Sequence, residues 1–331
     1  MSANRGERAS PARHPRTLRL GTRGSKLARW QAEWVAERLQ QLGCVVELIE
    51  IATRGDVERA QSIEEIGTRG VFTKEIQRAL LSGDVDLGVH SLKDLPTEPV
   101  DGLVLAAVPE RESPSDVLIC PRSRATSGAA LSAPYSVLPQ GARVGTGSLR
   151  RQAQMRHHRP DLQIADVRGN VDTRLRKLDE GQFDAIVLAE AGLRRLGLAD
   201  RITQRLPFNV MLPAVGQGAL GIECRADDAK TRAILANVED QATRAAVTAE
   251  RALLEQLRGG CRAPVGAIAR VDLGKLQLSA VVLSADGAQR LAADQAGSSG
   301  EAEALGRRVA DALLAQGAAA LIAESRGGTG S

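Results

Sequence analysis

GTRGSKLARWQA at 21–32 and GTGSLRRQAQM at 145–155 follow one pattern: a glycine-led turn running straight into a helical stretch. Two further pairs come in the same order. TRGDV (53–57) matches VRGNV (167–171), and GDVDLGVHSLKD (83–94) matches GQFDAIVLAEAG (181–192). Three matches at similar separations mark an internal repeat. The first copy shows the plan. Thr17–Thr22 reads as a short strand and 23–26 as a turn. Leu27–Leu42 reads as a helix with Leu27, Trp30, Trp34, Leu39 and Leu42 on one stripe. Gly43 is placed to end it in the left-handed conformation. Cys44–Ile51 is a continuous apolar run, as expected of a parallel strand buried on both faces. A helix over 71–81, a strand over 85–90 and a loop over 91–96 complete the unit. This alternation predicts an α/β fold of two doubly wound lobes. Such lobes bind ligands between them, at the carboxyl ends of their strands.

Proline-rich PERESP, Pro109–Pro114, is the expected first crossing between lobes. Residues 122–136 are rich in serine and alanine and read as a surface loop. After Pro207 the chain is expected to return to the first lobe, with Ala219–Cys224 as a strand. A helix over 242–257, strands near 265–272 and 276–284, and a helix near 301–315 predict a small α+β domain. The expected units are 17–110 with 214–238, then 115–212, then 240–325. Residues 1–16 read as a disordered basic arm.

Composition narrows the function. Hydrophobic residues make up 43% of the 331, but aromatics only 2%. The cores must be built from Leu, Val, Ile and Ala, and the stacking platforms of single-stranded nucleic-acid binders are missing. Cys44, Cys120, Cys224 and Cys261 form no C-x-x-C pair and have no histidine at ligand spacing, so neither a disulfide framework nor a metal site is expected. No 18-residue apolar run and no signal-type h-region are present. The expectation is a cytoplasmic protein with no nucleic-acid, membrane or metal partner.

The net charge of +4 is mostly arginine, and its placement is informative. Arg23 and Ser25 sit where the first glycine turn opens a helix, a natural anion site. Thr146, Ser148, Arg150 and Arg151 hold the same place in the second copy. Arg168, Arg174 and Arg195 lie in or just after further loops. Guanidinium forks match carboxylates or phosphates, so a small polyanion is favoured over a solvated basic face. Ser91, Lys93 and Asp94 follow an apolar strand directly; a cleft pair and a surface ion pair fit equally well. Gly259-Gly260-Cys261 places a thiol between Arg258 and Arg262, which would favour the thiolate, although a buried structural cysteine fits that loop as well. Cys44 and Cys224 read as core, and His90 as a packed strand end, so a Cys–His protease is not expected. GQGALG (216–221) fits G-x-G-x-x-G but leads into an extended segment, which excludes a dinucleotide fingerprint. Arg54–Asp56 spells RGD and is treated as loop chemistry.

Taken together, VHSLKD (89–94), GTGSLRR (145–151), RGNVDTRL (168–175), LPAVGQGALGIE (212–223) and GGCRAP (259–264) closely resemble the signatures of the porphobilinogen deaminase (hydroxymethylbilane synthase) family. The resemblance runs from about Leu18 to Glu324. It implies a transferase with two lobes of periplasmic-binding-protein type and a third domain. That domain's cysteine, matched by Cys261, would carry a dipyrromethane cofactor through a thioether. Four porphobilinogen molecules would be condensed onto it with loss of ammonia, and hydrolysis would release hydroxymethylbilane. Motif matching implies Asp94 as the essential aspartate. It implies Lys93, Ser91, Thr146, Ser148, Arg150, Arg151, Arg168 and Gln217 at the cofactor. Arg23, Ser25, Arg168, Arg174, Arg195 and Lys74 are implied at the substrate. Gly147, Arg69 and Arg262 depart from the usual serine, lysine and glutamine. A monomer with no obligate protein partner is expected. A two-lobed solute-binding module without chemistry is the alternative.

Overall fold

A computed structural model of the chain describes residues 17–52, 73–122, 133–259 and 263–327. The basic arm, the TRGDV loop with its RGD, Arg69, the start of the helix expected from 71, most of the loop expected at 122–136, and Cys261 with Arg262 lie outside the described residues.

The first repeat folds as its pattern demands. Strand β1 (Thr17–Thr22) buries Leu18 and Leu20 completely on one face. Helix α1 (Lys26–Gln41) is capped by Ser25, whose hydroxyl accepts from the Ala28 N–H at 3.3 Å. Gly43, at φ +82°, ends it: its N–H reaches Gln40 O and that of Cys44 reaches Leu39 O, a Schellman motif. Then come β2 (Val45–Glu50), α2 (Lys74–Ser82), β3 (Leu87–Ser91) and β4 (Leu103–Ala107). The sheet order is β2-β1-β3-β10-β4, with β10 (Leu220–Arg225) antiparallel to both its neighbours.

The second repeat runs through β5 (Asp116–Ile119), β6 (Arg143–Gly145), α3 (Leu149–His158), β7 (Gln163–Ala165), α4 (Val171–Asp179), β8 (Ala185–Ala189), α5 (Glu190–Arg195) and β9 (Gln204–Arg205). Its order, β7-β6-β8-β5-β9, matches the first sheet strand for strand. In each lobe the fourth strand is antiparallel and is supplied by chain arriving from the other lobe. β5 follows the crossing at 108–115 and β10 the crossing at 206–219. The sheets are therefore mixed, with a parallel half and an inserted return strand. The run at 44–51 is also not doubly buried. β2 is the edge strand, with Val45 46% and Leu48 40% exposed. Glu47 and Glu50 interrupt the apolar run, and both are exposed, as an edge strand allows.

After α6 (Ala229–Leu235), the C-terminal domain packs α7 (Gln241–Gln256) and α8 (Ala302–Ala315) on an antiparallel sheet. That sheet comprises β11 (Val265–Asp272), β12 (Lys275–Leu283) and β13 (Arg290–Ser298), with α9 (Ala318–Gly327) alongside. A Cβ on Gly306 would lie 2.3 Å from Ala249 O, so the two long helices approach backbone to backbone. β13 and α9 escape the sequence reading. RLAADQAGS has no β-branched residue, and pairing along its whole length with β12 makes it a strand.

One buried carboxylate joins the parts. Glu250 of α7 is fully buried. It accepts from Arg111 of the first crossing at 2.7 and 3.1 Å, from the Gly216 N–H of the second crossing at 2.7 Å, and from the Ala269 N–H of β11 at 2.9 Å. Arg111 also donates to Gln217 O at 2.8 Å. Glu250→Gln keeps the shape but strands a buried guanidinium. It should destabilise the chain by about 3–5 kcal/mol in urea unfolding; a loss under about 1 kcal/mol would show that the ion pair is dispensable.

Candidate functional site

β3 runs out at Ser91 into a single 3₁₀ turn, Leu92–Asp94. The Leu92 N–H donates to Ala219 O at 3.0 Å, so the turn is fastened to the second crossing. Gly216, at φ +70°, makes that possible: a Cβ there would sit 3.1 Å from Leu92 Cγ and 3.3 Å from the Lys93 nitrogen. Ser91 Oγ accepts from Gln31 of α1 at 2.8 Å. The turn leaves Asp94 exposed and Lys93 half-buried. Burial pushes the Lys93 ammonium down to about 8. Asp94 and Asp116 pull it up, while Arg151 and Arg150 add to the depression.

From the second lobe, β6 leads to buried Thr146, whose hydroxyl accepts from the Ser148 N–H at 3.3 Å. Ser148 caps α3 without a side-chain cap bond. Arg150 and Arg151 follow, both 5% exposed. Their guanidinium groups converge on Asp116, the fully buried first residue of β5. Arg150 Nη1 donates to Asp116 Oδ2 at 2.7 Å and to Leu212 O at 2.6 Å. Arg151 donates to Asp116 Oδ1 from Nε and Nη2, at 3.0 and 2.7 Å, and to Val187 O from Nη1 at 2.9 Å. Gln217 Nε2 adds bonds to Asp116 Oδ1 at 3.0 Å and Pro114 O at 2.7 Å. Burial alone would raise the Asp116 carboxyl, but Arg150 and Arg151 hold it well below the usual carboxylate range. The other end of the Gln217 amide, Oε1, is buried and has no partner among the described residues.

Next to this cluster lies a cavity of about 430 Å³ at the junction of all three units. Lys93, Ser148 and Arg150 meet Arg251, Arg258 and Ala263 there. Arg251 is braced by donating to Leu95 O at 3.0 Å and Pro96 O at 2.6 Å. Arg258 ends α7 in the left-handed conformation, φ +51°. Its N–H reaches Glu255 O, and that of Gly259 reaches Leu254 O. The unusual backbone angle among the described residues of this loop thus falls on Arg258 and not on Gly259. Arg258 and Ala263 flank the GGC loop on its two sides.

The remaining sequence candidates are spread more widely. Arg23 is half-buried at the turn before α1, and the Ser25 hydroxyl is used by the cap. Arg174 donates to Gly169 O at 2.8 Å and is pushed down to about 10, first by burial and then by Arg151. Buried Arg195 donates to Gly218 O at 2.6 Å, faces the Trp30 ring across the interlobe gap at 5.8 Å, and is pushed down to about 10 by burial. Arg168 is exposed and pairs with Asp166 at 3.0 Å. A Cβ on Gly147 would come within 3.1 Å of Asp166 Oδ1, so the missing serine leaves room for that carboxylate. Lys74 is exposed at the start of α2. His90 is buried with Nε2 3.0 Å from Glu223 Oε2, outside the cavity lining. Cys44 is partly buried and so not full core. Cys224 is fully buried and its thiol is pushed up to about 11 by burial. Sequence reasoning missed Asp116, Arg111 and Arg251. For Asp116 a signal existed: an acid opening the apolar run DVLIC beside a crossing.

Among the described residues, no group of three His, Cys, Asp or Glu could hold a metal ion, and no helix is long and apolar enough to cross a membrane. The family model described as porphobilinogen deaminase, dipyromethane cofactor binding domain, matches residues 18–233, and that of the porphobilinogen deaminase C-terminal domain matches 244–315. A porphobilinogen deaminase of Desulforudis audaxviator is 50% identical over 315 residues, covering 95% of this chain and 99% of the relative. One from Xanthomonas axonopodis pv. citri is 49% identical over 310 residues, covering 93% and 99%. The solved methionine-binding protein MetQ is 14% identical with a TM-score of 0.42, covering 67% of this chain and 89% of its own. With two family models in tandem and near-full-length relatives, the chain belongs to the porphobilinogen deaminase family.

Proposed function

We propose that this chain is the transferase that condenses four porphobilinogen molecules head to tail and releases hydroxymethylbilane, working on a dipyrromethane held through a thioether to Cys261. The observation that carries the reading is the cationic cavity between the lobes: Lys93 and Arg150 face it, and the loop flanks Arg258 and Ala263 line it. Each pyrrole bears an acetate and a propionate, so two linked rings present carboxylates that such a cavity suits. The unpartnered Gln217 Oε1 is an acceptor suited to an N–H donor, which a pyrrole ring supplies. When bound, the dipyrromethane supplies the nucleophilic ring carbon to which the chain grows.

The protein's own groups then have separable tasks. Arg150, Arg151 and Lys93, together with Ser91, Thr146, Ser148, Gln217 and the more distant Arg168, are assigned to the cofactor. Arg23, Ser25, Arg174, Arg195, Arg168 and Lys74 are assigned to incoming substrate. Asp94, exposed on a turn fixed at both ends, is assigned to accept hydrogen bonds from pyrrole N–H groups and to offset positive charge as ammonia leaves. We assign 17–110 with 214–238 and 115–212 to the two lobes, and 240–325 to the cofactor-bearing domain. A monomer working in the cytoplasm without an obligate protein partner fits this reading.

Three measurements test it. Intact mass of denatured protein should show an adduct of about two pyrrole units, absent from a folded Cys261→Ser variant, because an alcohol is a far poorer nucleophile than a thiolate. A solute-binding module would carry no adduct at all. In single-turnover kinetics on loaded protein, Asp94→Asn should be slower by about 10²–10³, while Asp94→Glu, which keeps the charge, should be less impaired. A near-parental rate for Asp94→Asn would move the role elsewhere. Lys93 should be cationic below about 8 and lose its proton as pH rises through that value. Turnover should therefore fall on the alkaline side with a midpoint near there. Lys93→Arg should move that limb to higher pH; an unmoved limb would assign it to another group.

A further inference from the structure

Arg150 and Arg151 place two buried positive charges on consecutive residues, with Lys93 a third nearby. They face a single buried anion. Asp116 Oδ1 accepts three hydrogen bonds, two from Arg151 and one from Gln217, and Oδ2 accepts one from Arg150. Asp116 sits opposite Ala189 at the end of β8, directly after the first crossing, and Gln217 belongs to the second. One carboxylate thus fixes both guanidinium groups and both crossings. It offsets one of the two arginine charges; counting Lys93 and its neighbour Asp94, a net positive charge remains beside the cavity.

We infer that Asp116 is a positioning residue: its carboxylate aims the twin arginines at the cofactor and leaves a net positive charge for the cofactor's own carboxylates to neutralise. This rests on the dipyrromethane reading above. A neutral residue here would release two guanidinium groups to repel one another, and the aim would be lost even though the net positive charge rises. The residue acts through Arg150 and Arg151.

The test uses the full chain with Asp116 changed to Asn, Ala and Glu, with circular dichroism as the folding control. Covalent loading, read by intact mass, should fall at least about tenfold in Asp116→Asn and Asp116→Ala, since each variant loses charge-assisted hydrogen bonds to both arginines. Formate, a small carboxylate able to enter the space left by Asp116→Ala, should restore most of that loading, and chloride at equal ionic strength should not. A purely structural role would not discriminate between these anions. Asp116→Glu keeps the charge, should fold, and should load in part. Parental loading in Asp116→Asn, or equal effects of formate and chloride, would overturn the inference. A second readout needs no cofactor. Phenylglyoxal modification of Arg150 and Arg151, mapped by peptide mass, should be at least about tenfold faster in the Asn and Ala variants than in the parent. Equal rates would overturn the role of Asp116. An absent adduct on the parent, with modification still faster in the variants, would instead overturn the cofactor reading and leave that role standing.

Discussion

Two peptide crossings have to pass between the lobes side by side, and the Glu250 carboxylate holds them there. Its two oxygens take both prongs of Arg111, the backbone of Gly216 and the backbone of β11. A buried charge is tolerable only when its partners are complete, and here the partners come from three separate parts of the chain. Gly218 completes the contact. At φ +88° its missing Cβ would lie 2.2 Å from Glu112 O, so only glycine lets the crossings touch. The site is assembled on this junction. Lys93 is fastened to one crossing through the turn at Leu92, and Asp116 begins where the other ends.

The lobe architecture explains why the charges gather here. Each sheet inserts a return strand, β10 or β5, beside a parallel strand that ends at the cleft. The carboxyl ends of β3 and β8, the start of α3 and both crossings meet at that point. Helix N-termini favour anions, and the arginines that follow them add full charges in a place shielded from water. The depressed proton affinities of Lys93, Arg174 and Arg195 have burial as their first cause. A carboxylated ligand relieves that cost, which makes cationic crowding a sign of binding and not of stability.

Much of this was legible without coordinates. Repeat order gave two lobes, because equal patterns of glycine turns and apolar stripes fold alike. Gly43 marked the end of α1 to within a residue, since backbone groups at helix ends must be satisfied locally. Arg150 and Arg151 stood out because they sit where the second glycine turn opens a helix, a place suited to anions. Burial and partnership were not legible. The run at 44–51 turned out to be an edge strand, and the small-residue strand β13 was invisible, because both depend on which strand lies alongside.

Amino-acid order alone therefore determined most of the local elements, the repeat and the family signatures, all of which rest on short-range pattern. Only tertiary structure decided that Asp116 rather than solvent meets the twin arginines, that Glu250 joins both crossings, and that Lys93, Arg251 and Arg258 share one cavity. Asp116 lies 34 residues from Arg150, and Glu250 lies 139 from Arg111. Contacts over such separations are set by sheet order and strand exchange, and no residue spacing encodes them.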